Sequence, residues 1–95
     1  MANKPEKSIK AYKKFIEMNP KSYVGYYNLA CIYARNTNKT KCYEYLKKAL
    51  ELMPPSMIEK VKYDPDLKSI KDDKKFKILL REAQNRVKKI KRKQK

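Results

Sequence analysis

KSIKAYKKFIEMNPKS (Lys7–Ser22) and KCYEYLKKALELMPPS (Lys41–Ser56) read as one helix written twice, 34 residues apart. Lys7, Lys13, Lys14, Glu17, Pro20 and Ser22 fall on Lys41, Lys47, Lys48, Glu51, Pro54 and Ser56. The apolar positions Tyr12, Ile16 and Met18 fall on Leu46, Leu50 and Leu52. A period of ~34 residues is that of a helix–turn–helix array, in which a unit buries its apolar face only by stacking on neighbours.

The residues around these copies predict the other elements. Pro5 and Glu6 open a first helix, since proline suits the first turn and an acid suits the positive helix end. Ile9, Tyr12, Phe15 and Ile16 repeat at three- and four-residue spacing, one helical face. Asn19-Pro20 ends it, because the residue before proline is pushed out of the helical region. Ser22 is a candidate N-cap for a second helix, about Tyr23 to Arg35. Asn36-Thr37-Asn38 is a turn, with an asparagine expected in the left-handed conformation. A third helix runs from about Thr40 to Met53, with Cys42, Tyr45, Leu46, Ala49, Leu50 and Leu52 as its stripe, and Pro54-Pro55 stops it. Beyond it, Ser56 caps a short helix Met57 to Lys62. Asp64-Pro65-Asp66 starts another that ends near Ile70. Asp72-Asp73 caps a last helix carrying Phe76, Leu79, Leu80, Ala83, Val87 and Ile90.

Tyr26-x2-Leu29-Ala30-x2-Tyr33, followed by Cys42-x3-Leu46-x2-Ala49-x4-Pro54, resembles the tetratricopeptide repeat. The resemblance implies an all-α, antiparallel hairpin array, a fragment of a right-handed α-solenoid with a C-terminal capping helix. It divides the chain into a half-repeat 6–22, a full repeat 23–56, a degenerate repeat or cap 57–82, and a basic helical tail 83–95. Thr37 stands where the family usually has glycine, and Cys42 where it prefers alanine. The string DPDLKSIKDDKKFKILL (residues 64–80) is similar to a tail that often closes such domains. In that reading Leu67, Ile70, Phe76 and Leu79 cover the third helix.

Composition narrows the function. The chain has 95 residues, no histidine and a single glycine. Those numbers fit one domain and argue against an all-β fold rich in tight turns. No nucleophile motif, glycine-rich phosphate loop or metal-ligand cluster is present, so no catalysis and no cofactor are expected. Cys31 and Cys42 read as small apolar core residues with reduced thiols. No apolar stretch suggests a signal peptide or a membrane span, and an intracellular, cytoplasmic location is expected. KKIKRKQK at residues 88–95 would suit nuclear import. The formal net charge of +16 favours an acidic or polyanionic partner.

Candidate binding residues follow. The family resemblance implies a concave face lined by the first helix of each unit. Here that face would carry Tyr27, Asn28, Cys31, Arg35, Ile58 and Lys62, holding a protein or peptide segment expected to be acidic. Some relatives grip carboxylates with a clamp of Lys, Asn and Arg. Asn28 matches one clamp position, Lys62 replaces its arginine, Ile58 replaces a lysine, and a first clamp helix has no counterpart. A full clamp is therefore not expected. A second reading places RNA, the ribosome or an anionic surface on the basic tail, through Arg86, Lys88, Lys89, Lys91, Arg92 and Lys93. A third makes the chain the end of a longer solenoid, or a homodimer formed through its unpaired first helix.

Overall fold

The computed structural model describes the backbone of residues 5–93 and the side chains of residues 5–89. Five helices form: α1 (Pro5–Met18), α2 (Tyr23–Arg35), α3 (Lys39–Leu52), α4 (Pro55–Val61) and α5 (Lys74–Lys93), with a 3-10 turn at Pro65–Leu67. No strand occurs among the described residues. The written repeat is also a structural one. Helices α1 and α3 are each 14 residues long, and both their bounds are offset by one period of 34.

Local chemistry sets the boundaries. The Ser22 side chain accepts the Val24 amide, and Asn38 Oδ1 accepts the Lys41 amide, so both ends of the central hairpin begin on side-chain caps. The left-handed residue of the intervening turn is Thr37, at φ 60°, and not an asparagine. Both asparagines are used otherwise: Asn36 Nδ2 donates to the Ile32 carbonyl and Asn38 caps α3. Helix α4 begins at Pro55 without a side-chain cap, rather than after Ser56, because proline is preorganised for a first turn. Asp64 caps the Asp66 amide as expected, yet only a 3-10 turn follows, and the chain then turns through Asp72.

The core is continuous from α2 to α5. Ala30, Cys42, Leu46 and Ala49 are fully buried between α2 and α3, with Tyr33 stacked on Tyr45 at 5.8 Å, while Leu29 is equally buried but lies outside that cluster. Burial of a leucine contributes roughly 1.5–3 kcal/mol. The 3-10 turn packs on α2, while α5 packs on α3 and α4. Leu67 therefore serves α2 rather than covering α3, and Phe76, Leu80 and Ala83 close the core from α5. The division drawn at residue 82 between cap and basic tail falls within α5, a single helix from Lys74 to Lys93 that buries Ala83 completely.

Candidate functional site

Tyr27, Cys31 and Arg35 recur every fourth residue along α2, which aligns them on one helical face. Residues 62–73 cross that face as a strap. The Tyr27 hydroxyl donates to Asp64 Oδ2, while Asp64 Oδ1 accepts the Asp66 amide at 2.9 Å. Arg35 Nη1 pairs with Asp66 Oδ1 at 3.0 Å. Ser69 Oγ donates to the Ala34 carbonyl at 3.0 Å, at the end of α2, where that oxygen also accepts the Thr37 amide. Farther along, Asp73 Oδ2 accepts the Tyr43 hydroxyl at 2.7 Å and lies 3.1 Å from Lys39 Nζ. Three acids of the strap thus turn inward onto α2 and α3.

The electrostatics follow this geometry. Burial, then the bond to Asp64, raises the Tyr27 phenol far above its ordinary range. Burial, then the bond to Asp73, does the same for Tyr43. Bonds from Tyr43 and Lys39 hold the Asp73 carboxyl below its usual value. Burial and the Asp64 charge push the Cys31 thiol up to about 12, and burial pushes Cys42 up to about 11. Both thiols are free and protonated near neutrality, the opposite of an activated nucleophile. Cys31, Asp64 and Asp66 place possible ligand atoms within 4.8 Å of one another. Two of the three already have partners: Asp64 in Tyr27 and Asp66 in Arg35.

The six residues expected on the concave face separate into two groups. Tyr27, Cys31 and Ile58 are 7%, 3% and 4% exposed and form part of the core. The strap covers the α2 face that carries Tyr27 and Cys31, which the family resemblance alone would leave open as a concave surface. Asn28 is half-buried, and Arg35 and Lys62 are exposed. Of the tail residues, Arg86 donates to the Leu50 carbonyl at 3.3 Å and caps the end of α3. Lys88 and Lys89 are exposed, whereas the side chains of Lys91, Arg92 and Lys93 lie outside the described residues.

Sequence reasoning passed over Tyr63, Lys68 and Lys71. Together with Lys62, Asp64 and Pro65 they line a notch of about 310 Å³ on the outer side of the strap. Tyr63 is 74% exposed, with Lys62 Nζ 5.1 Å from its ring centroid. The available signal was the alternation of lysine pairs with aspartate pairs between residues 60 and 73.

Comparison with known proteins agrees with the geometry. A family model described as tetratricopeptide repeat matches residues 11–44. That window is one period long, opening in α1 and closing in α3, so it cuts the same array at a different phase from 23–56. No significant match was found among curated proteins or among solved structures. The repeated helix, the capped hairpin and the matched window together show that the chain carries a tetratricopeptide repeat.

Proposed function

We propose that the chain is a non-catalytic interaction module that holds an acidic protein segment. A tetratricopeptide repeat suggests protein–protein interaction. The supporting observation is the sorting of charge: Asp64, Asp66 and Asp73 are spent on Tyr27, Arg35, Lys39 and Tyr43, inside a chain of formal net charge +16. The outer surface is left strongly cationic, which steers and retains an anionic partner. Of the residues expected on a concave face, Asn28, Arg35 and Lys62 remain accessible to a partner, while Tyr27, Cys31 and Ile58 are taken up by the core.

Peptide capture tests this. A glutamate-rich peptide should bind, and its glutamine counterpart should not. Deleting residues 87–95 should spare most of that binding. A second reading, RNA held by α5, is favoured by the exposed Lys88 and Lys89 on its polar face. In that case the deletion abolishes binding, and the affinity of the intact chain falls steeply with salt through counterion release.

A further inference from the structure

We infer that the notch around Tyr63 is the seat of the acidic segment, with Tyr63 as its apolar anchor and Lys68 and Lys71 as its carboxylate contacts. The inference rests on the interaction-module reading and assigns it a surface. A tyrosine 74% exposed contributes little to the core, so its ring is available to a partner. Among the described residues, Lys62, Lys68 and Lys71 make no ion pair, although four aspartates lie between positions 64 and 73. The strap directs three of those acids inward and presents its lysines outward. The one acid that lines the notch, Asp64, is occupied by the Tyr27 hydroxyl and the Asp66 amide. A concavity of about 310 Å³ has room for side chains rather than for a flat contact alone.

The chemistry favours peptide over nucleic acid. The ring is a lone platform, with no second aromatic among the residues lining the notch. Successive bases stack on successive rings, which a single tyrosine does not supply. The cations are lysines, compact point charges suited to dispersed carboxylates, where arginine would offer forked recognition of phosphate. Tyr63 and Pro65 provide an apolar floor between them. The occupant that fits is an extended acidic segment with one apolar or aromatic side chain set among carboxylates.

Fluorescence anisotropy with a labelled peptide of alternating Glu and Leu and one central Phe tests the assignment, with its Gln counterpart as reference. Tyr63→Ala changes no charge and should weaken binding about five-fold, ~1 kcal/mol, the loss that separates contributing interface residues from neutral ones. Lys68→Glu with Lys71→Glu should weaken it about ten-fold or more, equivalent to ~1.4 kcal/mol. Lys47→Glu with Lys48→Glu on α3 makes the same change in net charge and should cost less than about two-fold, since rim charges remote from a contact act mainly through steering. Circular dichroism should be unchanged throughout, because all five side chains are exposed. If Tyr63→Ala is silent and both charge reversals weaken binding equally, the notch is not the seat, while the acidic-partner reading stands. If the Glu and Gln peptides bind alike, or neither binds, both fall. An oligouridine that binds more tightly than the peptide and is lost with Tyr63→Ala would overturn the peptide assignment in favour of nucleic acid.

Discussion

Helices α1 and α3 occupy the same phase of the repeat and have the same length, yet α3 buries five residues and α1 buries none. The difference lies in their neighbours. Helix α3 is flanked by α2 on one side and α5 on the other, whereas α1 packs on α2. Aligned positions therefore have different worth: Leu46 is fully buried, while its counterpart Tyr12 is half-buried. An amphipathic stripe specifies a face able to be buried, and the array decides how much of that ability is used.

The largest effect should come from the aligned pair. Leu46→Ala should cost roughly 2–5 kcal/mol, as buried leucine truncations do. Tyr12→Ala should cost well under half as much, and equal losses in urea denaturation would erase the distinction between the two helices.

Gly25 sharpens the comparison from the other side. A Cβ at this position of α2 would lie 2.7 Å from Ile16 Cγ1 and 2.9 Å from Phe15 Cδ1. Overpacking of that kind costs ~1–3 kcal/mol, against a helix-propensity gain near 1 kcal/mol. Gly25→Ala should thus loosen α1 and speed amide exchange over residues 12–18, leaving α3 protected. Unchanged exchange in α1 would mean that its contact with α2 is softer than the geometry implies.

A smaller effect separates the helices by pH. Asp73 ties the strap to α3 through Lys39 and Tyr43, and its carboxyl is held below the ordinary 3.8. A depressed carboxyl stabilises the fold above the unfolded-state value and loses that contribution as pH falls through the folded-state value. The urea midpoint should therefore drop as the medium is acidified below about pH 4, and Asp73→Asn should flatten part of the slope. An identical acid profile in the variant would show that the α3 anchor does not depend on this charge.

The smallest change has the opposite sign. Thr37 holds φ at 60°, a conformation that costs a β-branched residue roughly 1–2 kcal/mol. Thr37→Gly relieves this but adds ~0.5–1 kcal/mol of unfolded-state entropy. A net gain of up to ~1 kcal/mol is expected by thermal denaturation. A loss would mean that the Thr37 hydroxyl bond to the Asn36 carbonyl outweighs the strain.

The repeat, the hairpin and the core stripe were legible because each is a periodic signal: Leu29, Ala30, Leu46 and Ala49 sit where helical spacing puts them. The strap was not. Its course depends on Tyr27 and Arg35 receiving Asp64 and Asp66, partners more than thirty residues away, and local pattern carries no such pairing. For the same reason, spacing could place Tyr27, Cys31 and Ile58 on a face without revealing what covers it. The left-handed Thr37 escaped because preference pointed to its asparagine neighbours, which capping had already claimed.

The long-range side-chain hydrogen bonds of the described residues all join positions between 30 and 37 apart: Tyr27 to Asp64, Lys39 and Tyr43 to Asp73, Ser69 to Ala34, and Arg86 to Leu50. Each closes a loop of about one repeat, and closure entropy varies little among loops of similar length, by about 0.6 kcal/mol per doubling. Among the described residues, no side-chain bond spans much more than one repeat. The expected folding order is therefore the α2–α3 hairpin first, then the strap and α5 in chain order, each step ordering about one repeat's worth of backbone. Such a route favours rapid, zipper-like folding, with α1 free to dock early or late without holding up the rest.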